Sequence, residues 1–265
     1  MDQLAGIRGV LIDIDGVLVV SWEAIEGAVD ALDELRAAGL PLRFLTNTTS
    51  ATVAEIASRL AGAGLAVDEA EILTAGVATA DHLERTHAGQ RCVLLNEGPS
   101  DDLQRPGLVW THDLGDAEVV VIGAGGPSFT WDTMNEVLRA LRRGAALVGM
   151  HGARVWQTAD GLCLDGGAYL DLLQTAAGVE ATIVGKPAPG MFEAALGAIG
   201  VSAEEAVMVG DDVVADVLAA QAVGCTGILV RTGKYREEDE TRAGTPDLVV
   251  DSFADVPALL ADASR

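Results

Sequence analysis

The sequence predicts an α/β fold, with a doubly wound parallel sheet as its core and a second, smaller α/β domain inserted into that core. Short runs rich in Val, Ile and Leu alternate along the chain with Ala- and Leu-rich amphipathic segments. This alternation is typical of a parallel sheet that is covered by helices on both faces. The 265 residues are enough for one or two domains, because a domain commonly holds about 150 residues.

The core is predicted to comprise residues 1–79 and 182–265, and the inserted domain residues 80–181. The predicted core strands are GVLIDID, LRFLTN, ATIVG, AVMVGDD, CTGILVRT and PDLVV. The early core helices are EGAVDALDELRAAG, closed by Gly39, and SATVAEIASRLAGAG, with Ser50 as its N-cap. Later core helices are predicted to begin near Pro189, Val213 and Phe253. The inserted domain contains the strands CVLLN, EVVVIGAG and ALVGMH and the helix WDTMNEVLRALRRG.

The chain is strongly acidic. Forty Asp and Glu residues outnumber seventeen Lys and Arg residues, for a net charge of −23. A field of this sign repels polyanions and anionic lipid surfaces, so we expect neither nucleic acid nor a membrane as a partner. An anionic substrate must then be held by a metal ion, a few local cations or helix N-termini.

The cysteines predict a reducing compartment. Cys92, Cys163 and Cys225 are odd in number, far apart in sequence and never form a CxxC pair. No apolar run approaches the ~18 residues of a membrane-spanning helix, and the first residues lack the basic and apolar regions of a signal peptide. We therefore expect a cytoplasmic protein.

Two acids lie at the end of the first predicted strand. Asp13 and Asp15 lie two residues apart in LIDIDGVL, so the two-residue period of a strand points both carboxylates to one side. The carboxyl end of a strand in an open α/β sheet is where ligands bind. Neighbouring carboxylates favour a cation or a proton between them, because like charges raise each other's pKa. Taken alone, the segment also fits a strand that ends in a turn.

A second acidic cluster favours the cation. In VMVGDDVVAD a strand leads directly into Gly210, Asp211 and Asp212, and Asp216 follows about one helical turn later. Carboxylate ligands suit a hard ion such as Mg²⁺. The four histidines form no HExxH or other compact zinc spacing. The sequence therefore predicts Mg²⁺ as the cofactor.

Two further strand ends carry polar signals, in FLTNTTS and TIVGKPAPG. Thr46 can donate a hydrogen bond to a phosphoryl oxygen, and Asn47 can orient a substrate or a loop. Lys186 offers a point charge for a phosphoryl group and for the carboxylate that attacks it. Taken alone, Thr46 also fits a capping residue and Lys186 a solvated loop charge.

With these segments in order, the chain resembles the haloacid dehalogenase (HAD) superfamily of phosphatases, whose four motifs match DIDGVL, LTN, GKP and GDD…D. It is most similar to subfamily IIA, the NagD-like branch that includes phospholysine phosphohistidine inorganic pyrophosphate phosphatases. The tail from VGKPAPG to VRTGKYREEDE and the segment DGLCLDGGAYLDLL carry that similarity. The resemblance implies a HAD-like, Rossmann-type core with the insertion as a cap. It also implies a Mg²⁺-dependent phosphatase that hydrolyses small phosphomonoesters through an aspartyl-phosphate.

The resemblance implies a role for each matching residue. Asp13 matches the nucleophile, and Asp15 matches the acid/base that protonates the leaving oxygen and then activates water. Thr46 matches the phosphoryl-oxygen binder, and Lys186 the charge-neutralising lysine. The implied Mg²⁺ ligands are Asp13, Asp211 and the main-chain carbonyl of Asp15. The implied supporting residues are Gly210, Asp212 and Asp216.

The cap is the expected source of specificity. Some members of the closest branch carry Ser where this chain has Asp15, so its substrate need not be theirs. The retained acid predicts hydrolysis of alkyl phosphates, whose leaving groups are poor. The candidate selecting residues are Arg154, Trp156, Asp165 and Tyr169. The cap is also the predicted surface for a homodimer.

Other functions remain open at this level. A phosphoamide or pyrophosphate phosphatase uses the same core, and so does a phosphotransferase such as a phosphomutase. A phosphoacceptor signalling module of the receiver type also places Asp, Thr and Lys at strand ends. Such a module needs only about half this length and has no use for an inserted domain.

The segment RTGKYREEDETR overlaps the end of the predicted strand CTGILVRT. It carries charges of both signs at close spacing, which is typical of a solvated loop. We therefore expect a solvated loop.

Overall fold

The computed structural model describes residues 4–158, 161–241 and 244–263. The chain divides into two compact units. The first unit comprises Met1–Thr46, Val53–Leu73 and Lys186–Arg265, and the second comprises Asn47–Thr52 and Thr74–Gly185. The second unit therefore interrupts the first, as expected of an inserted domain.

The described residues form strands and helices that alternate along the chain. The strands are β1 (Gly9–Asp13), β2 (Val19–Val20), β3 (Glu23–Ala24), β4 (Leu42–Thr46), β5 (Ile72–Thr74), β6 (Arg91–Leu95), β7 (Val109–Trp110), β8 (Val119–Ile122), β9 (Ala146–Gly149), β10 (Val155–Thr158), β11 (Gly161–Leu164), β12 (Ala181–Ile183), β13 (Ala206–Gly210), β14 (Thr226–Val230) and β15 (Leu248–Val250). The α-helices are α1 (Ala28–Ala37), α2 (Val53–Gly62), α3 (Ala75–Thr86), α4 (Trp131–Arg142), α5 (Gly166–Ala177), α6 (Pro189–Ile199), α7 (Ala219–Ala222) and α8 (Val256–Ala263). None of these helices is long and apolar enough to cross a membrane.

The main sheet of the first unit has the strand order β15-β14-β13-β1-β4-β5. From β15 to β4, each neighbouring pair is parallel. The chain moves outward from β1 in one direction through β4 and in the other through β13, so the strand order reverses at β1. Ligands of open α/β sheets bind at such a switch point, beside the carboxyl ends of the strands.

The buried core of this unit explains why apolar strands alternate with amphipathic helices in the sequence. All five residues of β1 are buried, as expected for a strand with helices on both of its faces. Helix α1 buries Ala28, Ala31, Leu32 and Leu35, the spacing of a single helical face. Phe192 of α6 is fully buried, which stabilises the fold by about 1.5–3 kcal/mol relative to an exposed ring.

The second unit has its own parallel sheet, with the strand order β12-β9-β8-β6-β7. Its core packs α4 and α5 residues such as Val137 and Leu170 against Val120 and Ile122 of β8. These two parallel sheets confirm the predicted fold class.

One predicted core strand lies elsewhere. ATIVG was expected in the main sheet, and that assignment is wrong, because β12 pairs with β9 of the second unit. Ala181 lies opposite Leu147, and Ile183 lies opposite Gly149. Both sheets are parallel and rich in Val and Ile, so the residue pattern predicts a strand without indicating its partner.

The bounds of the two units and of one helix also differ from expectation. The longer segment of the second unit begins at Thr74, where the predicted insertion begins at 80, because α3 belongs to this unit. That segment ends at Gly185, where the prediction has 181, and a short segment, Asn47–Thr52, also belongs to the second unit. Thr74 starts α3, since its side chain accepts a hydrogen bond from Val77 N. Helix α2 begins only at Val53, so the expectation that Ser50 caps it is wrong.

Candidate active site

Three neighbouring strands of the main sheet end in polar residues. Asp13 closes β1, Thr46 closes β4, and Gly210 closes β13 with Asp211 directly after it. The three polar side chains are all buried. Since β1 lies between β13 and β4 in a parallel sheet, these ends meet at one edge. This edge is the candidate active site.

Asp15 reaches the site by a turn. Strand β1 ends at Asp13, so the two-residue period does not extend to Asp15. The chain instead folds back, with the N–H groups of Leu18 and Val19 both donating to the Ile14 carbonyl. Thr46 Oγ1 donates to Asp15 Oδ2 over 3.4 Å. Asp15 therefore lies beside Thr46 at the predicted edge of the sheet, but it is positioned by this turn and not by the period of the strand.

Lys186 lies between two buried carboxylates. Its Nζ is 2.6 Å from Asp13 Oδ1 and 2.6 Å from Asp216 Oδ1, and all three side chains are buried. Burial alone would lower the pKa of Lys186, but the two carboxylates raise it above its ordinary value. Burial raises the pKa of Asp13, and the Lys186 ammonium opposes that rise. Lys186 is therefore a permanent cation in the site.

Asp212 and Asp216 hold the segment that follows β13. The helix predicted near Val213 begins there as a π-helical segment, Val213–Leu218. Asp212 Oδ1 accepts hydrogen bonds from the N–H groups of Val214 and Ala215. The Asp212 N–H donates to Asp216 Oδ2 over 3.2 Å. Asp212 is thus a helix cap, whereas Asp216 is engaged by Lys186 and by the backbone.

The donor set fits a divalent cation. One carboxylate oxygen from each of Asp13, Asp211 and Asp216 lies within 4.8 Å of the others. Burial, together with the neighbouring carboxylates, raises the pKa of Asp211 to about 8. Asp211 Oδ1 is buried and accepts no hydrogen bond from the described residues. A buried carboxylate oxygen left without a donor, in an oxygen-only cluster, suits a hard cation such as Mg²⁺.

The second unit contains three of the predicted specificity residues, and it also contains Asn47. The surroundings of these residues differ from one to the next. Arg154 is exposed and forms an ion pair with Asp171. Trp156 is half-exposed on the β10–β11 hairpin, opposite Cys163. The ring of Tyr169 lies against Phe129, with a centroid distance of 4.6 Å. Asn47 belongs to the second unit, one residue after β4 ends.

Asp165, the fourth predicted specificity residue, has a structural task. Its Oδ1 accepts from the N–H of Gly166, where it caps α5, and from the N–H of Gly125. Its Oδ2 lies 4.0 Å from His151 Nε2. The side chain is buried, so these contacts account for the carboxylate without a substrate.

Sequence reasoning missed the residues that follow β14. The segment RTGKYREEDETR was expected to be a solvated loop, and for its first residues that expectation is wrong. The N–H of Lys234 donates to Asp211 Oδ2 over 2.7 Å, and Thr232 Oγ1 donates to the Gly16 carbonyl. Strand β14 neighbours β13, so its carboxyl end faces the same edge. The argument that parallel strands place their carboxyl ends at one edge also applies to β14, which ends at Val230. Applied there, it would have identified this loop.

Comparison with known proteins identifies the family. A family model described as haloacid dehalogenase-like hydrolase matches residues 10–108, and one described as HAD-hydrolase-like matches residues 183–256. The human phospholysine phosphohistidine inorganic pyrophosphate phosphatase is 36% identical over 96% of this chain and 92% of its own length. The chain belongs to the haloacid dehalogenase-like hydrolase family. Human haloacid dehalogenase-like hydrolase domain-containing protein 2 is 38% identical over 96% of this chain and 95% of its own length.

Solved structures place this HAD hydrolase within the family. The p-nitrophenyl phosphatase from Archaeoglobus fulgidus matches with a TM-score of 0.88 and 30% identity, over 96% of this chain and 99% of that one. NagD from E. coli K-12 matches with a TM-score of 0.84 and 30% identity, over 94% and 98%. The predicted resemblance is thereby confirmed: this HAD hydrolase is a phosphatase of subfamily IIA, the NagD-like branch.

The crowding of buried carboxylates predicts that the site lowers the stability of the metal-free protein and that metal binding restores it. Asp211→Asn should raise the melting temperature of the chelator-treated protein by about 3 °C, because it removes one of three buried carboxylates whose oxygens lie within 4.8 Å of one another. Added Mg²⁺ should cancel this advantage, because a cation that binds only the folded wild type stabilises it. Differential scanning fluorimetry with EDTA and with Mg²⁺ measures both effects.

The matched control is Asp33→Asn, which changes an exposed carboxylate on α1 of the same unit. It should leave both melting temperatures within about 1 °C of the wild type, since surface substitutions have small effects. A lower melting temperature for Asp211→Asn in EDTA would contradict the proposed repulsion.

Proposed function

We propose that this HAD phosphatase hydrolyses small phosphomonoesters with Mg²⁺, through an aspartyl-phosphate formed on Asp13. The observation that carries the proposal is the buried Lys186 ammonium, 2.6 Å from the Asp13 carboxylate at the carboxyl end of β1. A carboxylate is a competent nucleophile toward phosphorus when the charges around it are compensated. The comparisons support the phosphatase class.

The reaction takes two displacements. A carboxylate oxygen of Asp13 attacks phosphorus, and the bond from phosphorus to the leaving oxygen breaks while Asp15 gives that oxygen a proton. Asp15, now ionised, takes a proton from water as the water oxygen attacks phosphorus, and the bond from phosphorus to the Asp13 carboxylate oxygen breaks. Inorganic phosphate leaves, and both Asp13 and Asp15 return to their starting states.

Two other side chains stabilise the transferring group. Lys186 is buried and permanently charged, so it compensates the negative charge that gathers around phosphorus and on Asp13. Thr46 is buried at the end of β4, where its hydroxyl can turn from Asp15 to a phosphoryl oxygen. Asp216 positions the Lys186 ammonium from its other side.

The metal ligands we propose are Asp13, Asp211 and the main-chain carbonyl of Asp15. Asp211 offers a buried oxygen that accepts no hydrogen bond from the described residues, whereas both oxygens of Asp216 are engaged by Lys186 and the Asp212 N–H. This contrast assigns Asp211 to the metal and Asp216 to the lysine. When bound, Mg²⁺ neutralises charge on the phosphoryl oxygens and fixes their orientation.

We assign the second unit to substrate selection, as a cap. Of the residues given a part in the chemistry, only Asn47 belongs to it, and Asn47 orients rather than reacts. Arg154, Trp156 and Tyr169 are the side chains we propose for selection. Asp165 supports them by capping α5.

A second candidate function follows from the printed names of relatives. Proteins 36% and 35% identical to this chain are called phospholysine phosphohistidine inorganic pyrophosphate phosphatases. The same aspartate chemistry would transfer a phosphoryl group from a nitrogen or from a second phosphate. A panel of phosphomonoesters, phosphoamides and pyrophosphate, scored by phosphate release, separates the two candidates.

The nucleophile assignment predicts loss of turnover in Asp13→Asn. The amide cannot form the acyl phosphate, so kcat should fall by more than about 10³-fold. Phosphate release from p-nitrophenyl phosphate measures it, with Asp33→Asn as the matched control. Mass spectrometry of acid-quenched wild-type enzyme should find one added phosphoryl group on the peptide that contains Asp13. Comparable turnover by Asp13→Asn would sink the assignment.

Metal dependence predicts that EDTA abolishes activity and that Mg²⁺ restores it. Ca²⁺ should inhibit, because its larger and more flexible shell misplaces the reacting groups. Steady-state rates with each ion, added to the chelated and dialysed enzyme, test this. Full activity after thorough chelation would contradict the proposed cofactor.

The acid/base role predicts that Asp15→Asn discriminates between leaving groups. For alkyl phosphates, kcat/KM should fall by about 10²–10⁴-fold, because the alkoxide must be protonated as it leaves. For p-nitrophenyl phosphate it should fall far less. The variant should then release about one p-nitrophenol per enzyme in a burst, since the phosphoenzyme lacks its base.

Rapid-quench kinetics resolve this burst, and a set of phenyl and alkyl phosphates gives the dependence on leaving-group pKa. Equal losses of kcat/KM for aryl and alkyl substrates would remove Asp15 from the acid role, whatever the result for Asp13→Asn.

A further inference from the structure

We infer that the segment Thr232–Gly233–Lys234, here called the 232–234 loop, positions Asp211 as a metal ligand. The inference rests on the proposed metal site and adds residues that the four family motifs do not include. The loop follows β14 by one residue and belongs to the first unit.

The backbone of the loop fixes the Asp211 carboxylate. The Lys234 N–H donates to Asp211 Oδ2 over 2.7 Å. This bond occupies one carboxylate oxygen and leaves Oδ1, the one without a donor among the described residues, in a defined direction. Groups that orient a ligand in this way commonly govern metal affinity.

Two glycines allow the loop to approach that closely. A Cβ placed on Gly233 would lie 2.0 Å from Asp211 Oδ2 and 2.6 Å from the Cα of Gly16. A Cβ on Gly16 would also lie 2.0 Å from Asp211 Oδ2. Both glycines have positive φ, 61° and 87°, which favours glycine. The carboxylate is thus packed between two backbones that tolerate no side chain.

Thr232 connects the loop to the catalytic turn. Its Oγ1 donates to the carbonyl of Gly16, which directly follows Asp15. The turn after β1 and the loop after β14 are thereby held together with Asp211 between them. Asp211 and Lys234 also line a cavity of about 240 Å³.

The test measures Mn²⁺ binding to the full-length protein by electron paramagnetic resonance, with Mn²⁺ alone as the probe. Gly233→Ala should weaken binding at least tenfold, because the new methyl group displaces the Asp211 carboxylate. The matched control is Gly39→Ala. Gly39 has a φ of 74°, and a Cβ placed on it would have no atom within 4 Å. Gly39→Ala therefore places a side chain at a positive φ without a steric contact. Its Mn²⁺ affinity should stay within twofold of the wild-type value.

Thr232→Val should weaken Mn²⁺ binding several-fold, and Thr232→Ser, which restores the hydroxyl, should recover it. In activity assays, Gly233→Ala should need more Mg²⁺ for half-maximal rate while kcat returns toward the wild-type value at saturating Mg²⁺. A purely structural role would instead lower kcat at every Mg²⁺ concentration. If circular dichroism shows that Gly233→Ala is unfolded, the Mn²⁺ affinities of Thr232→Val and Thr232→Ser test the inference by themselves.

The outcomes separate this inference from the proposed function. Wild-type protein that binds no Mn²⁺ would overturn the metal site and the inference with it. Wild-type binding with unchanged affinity in Gly233→Ala and Thr232→Val would overturn the role of the loop and leave the metal site standing.

Discussion

The buried Lys186 ammonium between Asp13 and Asp216 is the interaction on which the rest of the site depends. Both contacts are 2.6 Å long and all three side chains are buried. Removing one partner of such a group leaves an uncompensated charge away from water, which commonly costs about 3–5 kcal/mol. The buried position of Asp13, which we propose as the nucleophile, therefore depends on the Lys186 ammonium beside it.

The return of the chain to the first unit at Lys186 constrains the order of elements along the chain. The second unit ends at Gly185 and the first unit resumes at Lys186, so the insertion ends where the chemistry resumes. The lysine comes from a segment between β12 of one sheet and α6 of the other unit.

The sequence was sufficient for the fold class and for the residues at strand ends. Asp13, Thr46 and Asp211 were found because parallel strands place their carboxyl ends at one edge. It was not sufficient where position depends on pairing between elements: ATIVG joins the other sheet, and Asp15 reaches the site by a turn. The contact between the Lys234 N–H and Asp211 involves a backbone group, and backbone groups leave no mark in residue composition.

The balance of charge at this site favours the cation that we propose. The net charge of −23 is screened within about 8 Å at physiological salt, so the local groups decide whether a phosphate ester binds. When the carboxylates of Asp13, Asp211 and Asp216 are all ionised, their negative charge exceeds that of the Lys186 ammonium by two, and burial together with the neighbouring carboxylates opposes that state by raising the pKa of Asp211 to about 8. A phosphoryl dianion is repelled by that set. A divalent cation brings the same set to neutrality, and the two glycine backbones around Asp211 keep its carboxylate directed for that purpose.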